Sequence, residues 1–147
     1  MVFMDTITSI FREKKLKLTP QRIAVYKYLQ STMEHPSAET IYKALQPEYP
    51  TMSLATVYKA LKTLVEVGLV SEINVGEGNF RYDGNSSCHP HIQCMSCARV
   101  DDLSGVCFTE LNETAKQNSN YEIISNKVYF YGICSDCQKK QKDITSN

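Results

Sequence analysis

"SLATVYKALKTLVEVGLVSEINVGEGNFRYD", residues 53–83, holds two patterns that follow each other without a gap. From Ser53 onward, Leu54, Val57, Leu61, Leu64 and Val65 recur at helical spacing, with Ser53 placed to cap the helix and Gly68 to stop it. Beyond Gly68, "LVSEIN" and "NFRYD" flank the turn-rich "VGEG", which predicts two short antiparallel strands. A helix that runs straight into a two-stranded hairpin is one half of a winged helix-turn-helix.

The residues upstream supply the other half. Asp5 to Lys15 reads as a short amphipathic helix with Ile7, Ile10 and Phe11 on one side. Thr19 caps a second helix, opened by Pro20 and running to about Leu29. Ser37 caps a third through Leu45, with Ile41, Tyr42 and Leu45 on its buried face and Pro47 ending it. In this arrangement the fourth helix turns Thr56, Lys59, Lys62 and Thr63 outward toward a DNA major groove, and Ser53 and Tyr58 flank that surface.

Two lysines on a helix are, by themselves, no more than a solvated face. The charge distribution adds to them. The chain carries 16 basic and 16 acidic residues, yet residues 1–70 hold nine of the former against six of the latter and residues 71–147 hold seven against ten. The basic half is also the half with the winged-helix pattern, which points to double-stranded DNA as the partner. A length of 147 residues allows one core or two small lobes. No signal-peptide pattern or membrane-length apolar run is found, so a cytoplasmic setting with reduced cysteines is expected.

"GNSS", residues 84–87, reads as a hinge between residues 1–83 and residues 88–147. The second part predicts strand, strand, helix, strand, strand over "HIQC", "RVDDL", "GVCFTELNETAKQN", "YEIISNK" and "VYFYGIC", with the polar tail "KKQKDITSN" frayed. The fold class expected is α+β: an N-terminal winged helix-turn-helix followed by a small α/β domain.

Cys94-Met-Ser-Cys97 and Cys134-Ser-Asp-Cys137 are two Cys-x-x-Cys knuckles, together able to offer four thiolates to one structural Zn(II). The interval between them exceeds that of a simple zinc ribbon, so it must contain folded structure, and the ion would clip the start of the lobe to its end. Buried thiols or a redox pair are the competing readings, and paired knuckles favour zinc. Cys88 and Cys107 are left over as buried or half-buried thiols, Cys88 having the further reading of an oxidisable thiol or extra ligand.

His89 and His91 lie two apart and would share a side of a regular strand; Asp102 follows on the next strand. Asp83 ends the hairpin and His35 precedes the third helix. Imidazoles with carboxylates form a harder donor set than thiolates, suited to Fe(II), Mn(II) or Zn(II). Taken singly, His35 fits a helix-flanking polar group equally well and Asp83 a turn residue.

"LTPQR", "HPSAETIY", "SLATVYKAL", "LVEVGLV", "RYD" and "HPHIQCMSC", followed by the second knuckle, resemble the ferric uptake regulator (Fur) family in order and spacing over Leu18 to Cys137. The resemblance implies a homodimeric, metal-dependent repressor, no enzyme, whose second domain is an α/β dimerisation domain and whose metal loading closes the dimer on a palindromic operator. It places the structural zinc on Cys94, Cys97, Cys134 and Cys137 and a regulatory Fe(II) or Mn(II) on His35, Asp83, His89, His91 and Asp102. Aspartate at 102 resembles the peroxide-sensing PerR branch, in which Fe(II) and peroxide oxidise a histidine matching His35 or His89. An iron- or zinc-responsive repressor, a metalloenzyme and a zinc-stapled interaction module are the alternatives. Three departures stand out: Ser87 and Cys88 occupy a region where many relatives have a longer histidine run, Pro90 splits the histidine pair, and Ala98 replaces a glycine usual after the knuckle.

Overall fold

A computed structural model describes residues 2–85, 89–103, 107–124 and 126–145. The chain forms two compact units, Met1–Ser86 and Ser87–Asn147.

The first unit holds α1 (Val2–Glu13), α2 (Pro20–Ser31), α3 (Ala38–Leu45), α4 (Leu54–Glu66), β1 (Ser71–Asn74) and β2 (Phe80–Asp83). The three caps read from sequence are all made. The Thr19 hydroxyl oxygen accepts from Arg22 N–H at 3.3 Å, Ser37 Oγ from Thr40 N–H at 3.2 Å and Ser53 Oγ from Thr56 N–H at 3.1 Å. Each satisfies a first-turn amide that the helix itself leaves unpaired. The apolar stripes then meet in one core, in which Phe11, Val25, Ile41, Val57, Leu61 and Leu64 are at most 1% exposed. β1 and β2 pair antiparallel with Ser71 opposite Asp83, so the hairpin returns the chain to its own base and leaves Asp83 there. Asn74 Oδ1 accepts from Gly76 N–H at 2.9 Å inside the turn, where Gly76 and Gly78 take positive φ.

Two bonds tie the segment before α3 to β2. Tyr82 N–H donates to the Pro36 carbonyl at 3.0 Å, and the Arg81 guanidinium donates to the His35 carbonyl at 3.3 Å. Just past β2, Gly84 passes the end of α2 so closely that a Cβ on it would lie 2.9 Å from the Leu29 carbonyl carbon and oxygen. The Gln30 side-chain amide donates to the Gly84 carbonyl.

The second unit holds β3 (His91–Cys94), β4 (Val100–Asp102), α5 (Thr109–Gln117), β5 (Tyr129–Gly132) and α6 (Ser135–Thr145). The sheet order is β4-β3-β5, with β3 antiparallel to β4 and parallel to β5. A parallel pair needs a long crossover, and α5 lies within it. Two expectations are corrected. "YEIISNK" does not form a strand in the described residues 121–124 and 126–127: its apolar positions point outward, Tyr121 77% and Ile124 92% exposed, and β5 already occupies the free edge of β3. The polar tail is helical, because "SDCQKKQKDIT" is rich in Gln and Lys and sets Asp136 in the first turn and Lys142 in the last.

Cys107, read as a buried or half-buried thiol, is exposed and disulfide-bonded, while the alternatives raised for Cys88 fall outside the described residues. Among the described residues, no helix is long and apolar enough to cross a membrane.

Candidate metal centres and nucleic-acid face

The four knuckle cysteines converge through the parallel pairing of β3 with β5. Cys94 ends β3 opposite Gly132, and Met95 N–H donates to the Gly132 carbonyl at 2.8 Å, so Cys134 arrives beside the first knuckle. Cys137 follows in the first turn of α6, with Gln138 N–H bonded to the Cys134 carbonyl at 2.9 Å. One sulfur from each of the four lies within 4.8 Å of the others, and Cys97 Sγ is 3.9 Å from Cys134 Sγ. Four thiolates around Zn(II) at about 2.3 Å require sulfurs about 3.8 Å apart, so the cluster fits a tetrahedral zinc ion.

Its protons are unevenly held. The Cys134 N–H, 3.3 Å from Cys94 Sγ, and then the Cys97 N–H draw the Cys94 thiol down to about 6, favouring its thiolate. Cys137 is pushed up to about 11: the Ser96 hydroxyl pulls it down, but the Cys134 sulfur, burial and the other two thiols outweigh that pull. Ala98, just past the knuckle, has φ +63°, the left-handed conformation in which glycine is unstrained.

Each unit also gathers nitrogen and oxygen donors. In the first, His35 and Asp83 are 3% and 7% exposed, with His35 Nε2 3.4 Å from Asp83 Oδ2. The two bonds from β2 to the His35–Pro36 segment bring them together, and they hold His35 at φ +53°, a conformation that a non-glycine residue rarely adopts. The other carboxylate oxygen, Asp83 Oδ1, accepts from Asn85 N–H at 2.8 Å, which fixes the side chain's rotation.

In the second unit His91 sits directly opposite Asp102 across β3 and β4. His89 lies just before β3, yet its Nε2 and that of His91 are each 3.2 Å from Asp102 Oδ1, the two rings 4.7 Å apart and steeply inclined. Pro90 does not throw the pair out of reach, because its carbonyl accepts from Leu103 N–H at 2.9 Å and stays in register with the end of β4. Adjacent ligands at about 2.1 Å from an ion are about 3.0 Å apart in an octahedron and about 3.4 Å in a tetrahedron, so donors at 3.2 to 3.4 Å are spaced as ligands of an ion would be.

On α4 the outward face consists of Ala55, Tyr58, Lys59, Lys62 and, at its C-terminal end, Glu66, with Ser53 exposed at its cap. Thr56 and Thr63 are half-buried rather than outward, the Thr56 hydroxyl 2.9 Å from Ser53 Oγ and the Thr63 hydroxyl donating to the Lys59 carbonyl at 3.1 Å. A hydroxyl at i that bonds the i−4 carbonyl or the cap is drawn toward the helix surface. Ala55 was overlooked although it shares the face of Tyr58, Lys59 and Lys62 by helical spacing. Glu39 was also overlooked: Tyr58 Oη donates to its Oε1 at 2.6 Å, a contact between separate helices that no local pattern announces.

A profile of the ferric uptake regulator family matches residues 13–140. The chain is 72% identical to the transcriptional regulator PerR of Clostridium acetobutylicum, covering 93% of this chain and 99% of that one. It is 34% identical to the peroxide-responsive repressor PerR of Staphylococcus aureus over 92% of this chain and 91% of that one. Among solved structures, the peroxide stress regulator of Campylobacter jejuni superposes with a TM-score of 0.69 at 32% identity, covering 93% of this chain and all of the other.

Proposed function

This chain belongs to the ferric uptake regulator family, and from that premise we propose that it is a dimeric, metal-dependent transcriptional repressor that senses peroxide, acting in the cytoplasm on a palindromic operator. Members of this family are regulators, and the chain is a regulator rather than an enzyme. The observation that carries the reading is the segregation of donors by hardness. Thiolates stand together as a closed set fitting Zn(II), while imidazoles and carboxylates stand apart from them.

In this reading His35, Asp83, His89, His91 and Asp102 bind one Fe(II) or Mn(II). Because the five come from both units, the ion favours one arrangement of the reading head against the second domain, and DNA affinity follows that arrangement. Fe(II) bound there supplies the reaction with hydrogen peroxide that adds an oxygen atom to an imidazole ligand. Asp102 keeps His89 and His91 turned toward one carboxylate oxygen, and Asp83 holds His35 in the same way, so both candidate imidazoles are buried and fixed, and the bound ion brings the oxidant to them. Loss of one ligand loosens the rest, and repression ends. Ser53, Tyr58, Lys59 and Lys62 make the DNA contacts, with the lysines supplying the phosphate attraction and Tyr58 the base contact, while Thr56, half-buried, braces Ser53 through its hydroxyl.

DNA binding titrated with Fe(II), Mn(II) and Zn(II), followed by peroxide, tests this reading. Fe(II) and Mn(II) are expected to restore binding, and peroxide to abolish it in the Fe(II) form alone. Mass spectrometry should then find one added oxygen on His35 or His89. An Fe(II) form that keeps its grip on DNA through peroxide would overturn peroxide sensing, and binding indifferent to all three ions would overturn the regulator.

A further inference from the structure

Tyr58 lies on the outward face of α4, 44% exposed, and its hydroxyl is bonded to the carboxylate of Glu39, which stands in the first turn of α3 and is itself exposed. At 2.6 Å this is within the range of a charge-assisted O–H···O⁻ bond. A carboxylate on a surface that approaches phosphates weakens binding to every duplex, so its presence there needs a reason other than affinity. Its place at the N-terminus of α3 keeps it ionised, and the bond to Tyr58 holds its carboxyl below the ordinary glutamate value.

A phenol has one hydrogen and acceptor capacity on the oxygen. With that hydrogen held by Glu39, the oxygen of Tyr58 can only accept. In the major groove the groups that donate are the adenine N6 and cytosine N4 amino groups, whereas guanine and thymine offer acceptors at the matching edge. Resting on the repressor reading above, we infer that Glu39 is a specificity-determining positioning residue: it orients the Tyr58 hydroxyl as an acceptor and thereby sets the preference for an amino-bearing base at one position of each half-site. Without Glu39 the hydroxyl would be free to turn its hydrogen toward guanine, thymine or a phosphate, and the preference would relax.

The test compares affinities of the Mn(II)-loaded protein for the duplex that it selects from a randomised pool and for a scrambled duplex of the same composition. Glu39→Ala is expected to lower the ratio of the two roughly ten- to hundredfold, about one net hydrogen bond in each of two half-sites, with the loss confined to one base pair per half-site. Glu39→Gln removes the charge but keeps an acceptor, so affinity for both duplexes rises while their ratio stays within about twofold of the wild type. In the Tyr58→Phe background, Glu39→Ala should leave the ratio unchanged. If alanine and glutamine shift the ratio alike, or alanine leaves it at the wild-type value, Glu39 acts through charge or not at all and the inference is overturned. Should the alanine variant fail to fold, the other two decide: Tyr58→Phe must lose the preference at that base pair and Glu39→Gln must keep it. A wild-type protein that selects no duplex overturns the repressor reading instead, and the inference with it.

Discussion

Asp102 is one carboxylate oxygen shared between two imidazole nitrogens at 3.2 Å each. Removing it leaves His89 and His91 without the anion that turns both toward one point, so Asp102→Ala should weaken Mn(II) binding at least about tenfold by calorimetry while the zinc content stays unchanged. Ala98 offers a test of opposite sign. Its φ of +63° strains any residue with a Cβ by about 1 to 2 kcal/mol, and the greater unfolded-state freedom of glycine returns part of that. Ala98→Gly is therefore expected to stabilise the zinc-loaded protein by about 0.5 to 1 kcal/mol in chemical denaturation. The sequence made His89, His91 and Asp102 readable as a group because a strand's period of two and a short hairpin suffice to place them. It could not do the same for His35 and Asp83, which meet only because Arg81 and Tyr82 bind the carbonyls of His35 and Pro36 from the strand that ends in Asp83. Here the family resemblance, not the spacing, supplied the pair.

At the level of elements, the helices of the first unit were legible because local signals agreed with one another: a hydroxyl cap, an apolar stripe and a stop at each. α4 has to serve two surfaces at once. Its inner stripe includes Leu61, fully buried, and Leu61→Ala should lower stability by about 2 to 5 kcal/mol in urea denaturation. Its outer face includes Lys62, and Lys62→Ala should leave stability almost unchanged while it weakens binding to all duplexes and reduces the salt slope of log K by about two, one for each protomer of the dimer. A salt slope that does not change would remove Lys62 from the DNA face. The elements of the second unit were less legible. Tyr121, Ile123 and Ile124 suggest a strand, but among the described residues none of this stretch pairs with the β4-β3-β5 sheet, and a strand needs such an edge to satisfy its backbone. α6 lacks an apolar stripe, so hydrophobic periodicity gave no sign of it; composition and the charges at its two ends did.

For the whole molecule, the contrast between the units lies in what holds them. The first buries a continuous apolar core, whereas α5 contains no buried residue and the second unit's buried cysteines, Cys94 and Cys137, belong to the thiolate cluster. Chelation of zinc is accordingly expected to abolish amide protection through β3, β4 and β5 while α2 and α4 keep theirs, as hydrogen exchange would show. Acid should act with the chelator. Protons compete with zinc for the four thiolates, so zinc loss to excess chelator should be faster at pH 5 than at pH 8. Equal rates would mean that protonation of the thiolates does not limit release.

β3 is four residues long, with His91 at one end and Cys94 at the other. Whatever anchors Cys94 therefore also decides whether His91 meets Asp102. Zinc loading is thus expected to come before any ion is held by His91 and Asp102, which stepwise metal titration of the metal-free protein would show. Without zinc, the strand that carries His91 would lack its far anchor, whatever other metal a cell supplied.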